Sequence, residues 1–124
     1  MYSRNYNMVV LGAKHVGKTT LVQSFTEAYG ASDDRRTSSR LLVDPLNGVM
    51  PRDYVNKIHY KDEVFRLNIC DIPGLEDGGS NRSIRLRSIR RAHACVLVYA
   101  VNDKDSLHKL QDVKNEVFHF CHQF

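Results

Sequence analysis

The 124-residue sequence has few of the features that mark several protein classes. It holds three cysteines, Cys70, Cys95 and Cys121, at spacings that match neither a metal site nor a redox pair. An odd cysteine count without a secretory segment reads as reduced thiols in the cytosol. The six histidines stand at no zinc-type spacing from them. MYSRNYNMVV, residues 1–10, contains neither a secretory apolar core nor a Met-Gly start for myristoylation. The longest apolar run, ACVLVYAV (94–101), is too short to span a bilayer. There is no internal repeat and no low-complexity tract. The arginine-rich stretch RSIRLRSIRR (82–91) has no interleaved aromatic residues, which argues against nucleic acid as a partner.

What is present suits one soluble α/β domain. The sequence is 42% hydrophobic and 26% charged, enough for a real core, and its net charge of +4 favours an anionic ligand or an acidic membrane surface. NMVVL (7–11) reads as a buried strand. From Thr20 to Tyr29, Leu21, Val22, Phe25, Ala28 and Tyr29 recur at helical spacing, and Gly30 is a natural stop. Residues 31–53, with Asp33, Asp34, Pro45, Asn47, Gly48 and Pro51, read as loop. YVNKIHY (54–60) and VFRLNIC (64–70) flank a turn and predict a hairpin, with Phe65, Leu67 and Ile69 on one face. DIPGLEDGGSN (71–81) reads as loop and is followed by a basic helix. ACVLVYAV is a buried strand. The last helix carries Leu107, Leu110, Val113 and Val117 on one stripe, with Asp105 or Ser106 as its cap. Strands alternating with helices predict layers around a largely parallel sheet, with the hairpin at one edge.

The chemistry concentrates in GAKHVGKTT (12–20). Gly12, Ala13, Lys14, His15, Val16, Gly17, Lys18 and Thr19 spell G-x4-G-K-T between a predicted strand and a predicted helix, and Thr20 continues that helix. A glycine-rich turn exposes successive backbone N–H groups to phosphate oxygens, and the helix behind it adds its positive dipole end. Lysine reaches the terminal phosphates, and the Thr19 hydroxyl is placed to ligate Mg²⁺. By average residue frequencies the pattern arises by chance in about 0.4% of chains this long, so accident is a poor explanation. DIPG (71–74) is the second signal. Asp71 at a strand end can hold Mg²⁺ through water, and the Gly74 N–H can meet a γ-phosphate.

On these residues the chain resembles the Ras superfamily of small GTPases, and the Ras family most closely. The matching stretches are VVLGAKHVGKTTLVQSF, LNICDIPG and CVLVYAVNDKDSL, and the last, together with RLRSIRR, is similar to the Rhes/Dexras and Ras-dva-like branches. The resemblance implies a three-layer P-loop NTPase (Ras-like) fold, incomplete at the C-terminal side of the sheet. It also implies a single truncated domain over 1–124, with the phosphate loop at 12–19, switch I at about 31–53 and switch II at about 71–91. It implies GTP or GDP bound with Mg²⁺ through Gly12 to Thr20, Thr37, Asp71 and Gly74, the metal taking Thr19, Thr37 and Asp71. In the family a switch threonine lies 19 residues beyond the loop lysine, and here 37 − 18 = 19. The implied partners are guanine nucleotide, effector or regulatory proteins meeting the switch regions, and an acidic membrane surface. The implied location is cytoplasmic, peripheral at membranes.

Several departures qualify that expectation. SSRLLVDPLNGVMPRD holds about a dozen residues beyond the Ras pattern, in the region the family uses to contact effectors. Leu75 stands where the family has the glutamine that orients the attacking water, and a leucine side chain forms no hydrogen bond. Lys14 and His15 replace the usual pair of glycines and crowd the approach of an activating arginine. The expected consequence is very slow hydrolysis. The base-recognition motifs N-K-x-D and S-A-K do not occur in the 124 residues, which leaves ACVLVYAV as an expected exposed edge. Cys121 has His and Gln where a prenylation box has aliphatic residues, so lipidation is not expected. A truncated, non-catalytic Ras-like interaction module, with weak or no nucleotide binding, is the alternative function.

Overall fold

The computed structural model describes residues 4–29, 40–44, 48–72 and 82–121. Its elements, in chain order, are β1 (Arg4–Gly12), α1 (Lys18–Tyr29), β2 (Arg40–Asp44), β3 (Gly48–Tyr60), β4 (Glu63–Asp71), α2 (Arg82–Arg91), β5 (Ala94–Val98) and α3 (Lys104–Cys121). The strands form one mixed sheet in the order β2-β3-β4-β1-β5. β1 pairs in parallel with both β4 and β5. β3 runs antiparallel to β4 and to β2. The β3–β4 turn is Lys61-Asp62, both at positive φ (48° and 63°), the two-residue geometry whose twist matches that of the strands.

Alternation along β1 divides the core between the two faces of the sheet. Val9 and Leu11 join Ile72, Ile89, Ala92 and Val113 beneath α2 and α3. Val10 joins Val22, Tyr54 and Ile69 beneath α1. The result is the expected α/β arrangement of three layers: one helix, the sheet and two helices.

Five local expectations need correction. Residues 31–53 are not all loop, because β2 and the start of β3 lie among them. These strands are held by non-local pairing, Leu41 to Arg52 and Val43 to Val49, with a register shift between Leu41 and Val43 that breaks any clean alternation. Pro51, the strongest loop signal, falls next to that irregularity, where a ladder tolerates a missing N–H. The extra residues of this segment thus supply an edge strand to the sheet.

The strand over 94–101 ends at Val98, and Val101 is 93% exposed. The cap of α3 is Asp103, whose Oδ1 accepts the Asp105 N–H at 3.1 Å. Ser106 instead lies fully buried, accepting the Ala100 N–H at 2.9 Å and donating to the Asp103 carbonyl at 2.7 Å. The buried stripe of α3 runs through Ser106, Leu110, Val113, Val117 and Phe120, leaving Leu107 exposed. On α1 likewise Val22 is buried and Phe25 partly so, whereas Leu21 and Ala28 are exposed. β5 has β1 on one side and, among the described residues, no strand on the other.

Candidate functional site

In a parallel sheet the strand ends that follow one another around the fold leave a crevice, and ligands sit outside the carboxyl ends at the point where successive helices take opposite faces. Here α1 leaves β1 for one face and α2 follows β4 on the other. The crevice therefore opens where Gly12 ends β1 and Asp71 ends β4, with Val10 and Asp71 paired across the ladder. Residues 13–17 cross its mouth and the first turn of α1 closes it.

Each end of the loop uses a glycine for a different reason. Gly12 pairs with Val98 on β5, and a Cβ there would run into the Val98 carbonyl oxygen, besides lying 3.1 Å from Val16 Cγ2 and 3.3 Å from Lys18 Cδ. Gly12 is therefore a packing requirement, not an opening for phosphate. Gly17 has φ +98° and open space where a Cβ would point, so its backbone conformation is what selects glycine. His15 also adopts a left-handed conformation (φ 64°), which costs a non-glycine residue about 1–2 kcal/mol. Both Lys14 and His15 are exposed.

Lys18, the first residue of α1, is 7% exposed. Its ammonium folds back into the loop and donates to the Gly12 carbonyl at 2.7 Å and the Ala13 carbonyl at 3.0 Å. A buried ammonium needs such partners, and two carbonyls hold its head at the centre of the turn. Thr19, one residue on, donates its hydroxyl to Asp71 Oδ2 at 2.5 Å, across 52 positions of sequence. Asp71 is itself buried. A threonine oxygen whose hydrogen is committed to a carboxylate turns its lone pairs outward, which is what a hard cation accepts. Thus the two expected metal-ligating side chains among the described residues meet. The Leu21 N–H closes the first helical turn on the Gly17 carbonyl at 2.9 Å, leaving the amides before it to point into the loop.

Cys70, beside Asp71, carries no reactive thiolate. Burial, with a smaller contribution from the Asp53 charge, pushes its thiol up to about 12. Cys70 forms no disulfide. Thr37, Gly74 and Leu75 lie outside the described residues, so the switch threonine, the γ-phosphate contact and the missing glutamine remain expectations from sequence. Sequence reasoning missed the Val98 carbonyl as the reason for Gly12, because the constraint is a backbone contact between strands far apart in the chain.

The family model for the Ras family matches residues 7–124. The chain belongs to the Ras family. It is 29% identical over 117 residues to Ras-like protein family member 11B of Mus musculus, covering 92% of this chain and 42% of that protein. It is 31% identical over 109 residues to Ras-related protein R-Ras of Homo sapiens, covering 87% and 43%. To GTP-binding protein Di-Ras3 of Homo sapiens it is 31% identical over 108 residues, covering 87% and 41%. The chain therefore spans about two-fifths of the length of these relatives. Identity is level across differently named Ras proteins, so the matches support the family and not one branch of it.

Proposed function

We propose that this Ras-family chain binds a guanine nucleotide with Mg²⁺ and acts as a GTP/GDP switch with very slow hydrolysis. The observation that carries the reading is the assembly of groups from two separate parts of the chain: the Lys18 ammonium buried inside the loop with the neighbouring Thr19 hydroxyl, and the Asp71 carboxylate 2.5 Å from that hydroxyl. The relatives, a GTP-binding protein among them, agree with it.

In this reading the amides of residues 13–19 and the Lys18 ammonium neutralise the phosphate tail. Thr19 and Asp71 would hold the metal, with Thr37 joining them from switch I, and the Gly74 N–H would meet the γ-phosphate. Among the described residues no cluster of three or more His, Cys, Asp or Glu side chains could hold a metal by itself. A divalent cation here takes Thr19, Asp71, phosphate oxygens and water, the arrangement that suits Mg²⁺. When bound, the cation neutralises charge on the phosphate oxygens. Leu75 leaves the chain without a side chain to orient a water, which supports slow hydrolysis. Effector or regulatory proteins meeting the switch regions, and an acidic membrane surface drawn by the outward arginines of α2, complete the proposal.

A second reading is a Ras-like interaction module with weak or no nucleotide binding, and the observation that favours it is Leu75 at the position of the family's water-orienting glutamine. Titration of fluorescent GDP, GTP and ATP, with and without Mg²⁺, separates the two. Tight, Mg²⁺-dependent and guanine-selective binding is expected. Equal weak binding of all three nucleotides, or none, establishes the module instead. Lys18→Ala should lower affinity for the triphosphate about tenfold to a hundredfold, the loss of hydrogen bonds to a charged group. An unchanged affinity refutes the phosphate site. Single-turnover hydrolysis at the rate of a stimulated Ras protein refutes the slow-hydrolysis claim.

A further inference from the structure

Five of the ten residues of α2 are arginine, and three of them are engaged inside the molecule. Arg85 is buried; its Nε donates to Glu116 Oε2 at 2.8 Å and its Nη2 to Glu116 Oε1 at 2.9 Å. Arg82 stands 3.7 Å from the same carboxylate, and Arg90 lies over the Phe120 ring, 4.6 Å from its centroid. Arg87 and Arg91, one turn apart, are exposed and have no side-chain partner among the described residues.

A second basic feature lies on the sheet beside them. Val9 and Leu11 face α2 and α3, so Asn5 and Asn7 share that side of β1, and Cys70 places Arg66 and Asn68 on the same side of β4. Lys57 of β3 stands directly opposite Arg66 in the antiparallel ladder, and hence on the same face. Like charges directly opposite each other are destabilising. Neither side chain has an ion-pair partner among the described residues, and the nearest carboxylate on this face of β3 is Asp53, paired with Cys70. Lys57 is half-buried and Arg66 is exposed. α2 reaches the same region. Asn68 Nδ2 donates to Asn7 Oδ1 at 3.1 Å and Asn7 Nδ2 donates to the Arg91 carbonyl at 3.4 Å, so the end of α2 that bears Arg91 is tied through Asn7 to the strand that bears Arg66.

Cations from three elements thus share one side of the molecule. We propose that Lys57, Arg66, Arg87 and Arg91 form one docking face for a bilayer rich in anionic headgroups of the phosphatidylserine kind. This rests on the membrane reading above, which named α2 alone, and is independent of nucleotide binding. A bilayer offers a plane of mobile negative charge, so it is matched by cations spread over a surface and asks for no pocket; clusters of about four to eight lysines and arginines are what such a surface holds. Asn5, Asn7, Asn68, Lys57 and Arg66 offer no aromatic ring on which a base could stack, which disfavours single-stranded nucleic acid. Arg66 precedes Asp71 by five residues on β4, about 17 Å along the strand, so docking here keeps the bilayer clear of the crevice at Asp71.

The test floats the 124-residue chain with phosphatidylcholine vesicles that contain or lack phosphatidylserine, at low and at high salt. Binding should require phosphatidylserine and fall away at high salt. Each cation near such a surface is worth about fivefold in partitioning, so Lys57→Gln with Arg66→Gln, and separately Arg87→Gln with Arg91→Gln, should each lower it about twenty-five-fold. Exchange of the opposed pair, Lys57→Arg with Arg66→Lys, should leave it unchanged, because a bilayer reads charge and not the guanidinium fork. Melts followed by circular dichroism establish that each variant is folded, and Arg66→Gln alone, with about a fivefold loss, replaces a double variant that is not. Wild-type partitioning of the sheet variant, alongside loss in the α2 variant, overturns the composite face and leaves the α2 reading standing. A wild-type chain that ignores phosphatidylserine overturns both. Binding that survives high salt, or a loss in the exchanged pair, overturns the lipid assignment in favour of a partner that reads shape, such as an acidic protein.

Discussion

Beneath α2 and α3, Val9, Leu11, Ile72, Ile89, Ala92 and Val113 close into a continuous core, and the polar groups that enter it are matched: Ser106 by Ala100 and Asp103, Arg85 by Glu116. Beneath α1 the core is smaller, and four buried atoms there, Thr26 Oγ1, Tyr54 Oη and both amide atoms of Asn56, have no hydrogen-bond partner among the described residues. Further along that side Tyr6, Ile58, Tyr60, Phe65 and Leu67 line an open apolar groove of about 380 Å³. Two faces of one sheet thus differ in how completely they satisfy their groups. An unpaired buried polar atom costs about 1–3 kcal/mol, so the α1 face is the weaker one. The α1 helix is held best at its first turn, by Lys18 and Thr19. Its first turn is tied to Gly12, Ala13 and Asp71 through those two side chains.

The comparison can be broken most directly at Ile89. Ile89→Ala deletes a fully buried side chain on the well-packed face and should cost about 2–5 kcal/mol, lowering the melting temperature by about 8–20 °C. A loss no larger than that of Leu21→Ala, at an exposed position of α1, would make the two faces equivalent. Asn56→Leu should act in the opposite direction on the other face. Removing two unpartnered amide atoms from a residue with 0% exposure should stabilise the chain by about 1–2 kcal/mol. A fall in melting temperature would show that Asn56 is paired in solution.

Acid sharpens the contrast further. Glu116 has its carboxyl held low by Arg85, so its contribution is complete above the ordinary value of 4.5 and is lost as pH falls through the lower folded-state value. Thermal melts below pH 4.5 should therefore lose more stability in the wild-type chain than in Glu116→Gln. Parallel loss in both would remove the ion pair from the account of the α2/α3 face. The smallest effect is expected at His15, where glycine relieves a left-handed backbone conformation. His15→Gly should change stability by no more than about 1 kcal/mol, while His15→Val, a β-branched residue at the same φ, should lower it.

Much of this architecture is legible in the chain. The phosphate loop is a local pattern whose glycines, lysine and threonine are contiguous, and the hairpin is a short turn between alternating strands. The misreadings have a common cause. β2 exists through a bulged ladder to β3, from Arg40 with Asp53 to Asp44 with Gly48, so its evidence lies in its partner strand and not in its own periodicity. Leu21 and Leu107 read as core because spacing gives a helical face only to within one residue, and packing decides which flank is covered. Asp103 caps α3 because the turn at Ala100 to Asp103, braced by Ser106, sets where the helix begins.

The amino-acid sequence by itself determined the order of strands and helices apart from β2, the loop at 12–19 and the Ras-family pattern, because each is written in neighbouring residues. Only the tertiary structure decided that Gly12 is demanded by the Val98 carbonyl, that Thr19 reaches Asp71, and that Arg85 is locked to Glu116. Those relations join positions far apart in the chain, and their energy appears only when the sheet brings the groups into contact and withdraws them from water.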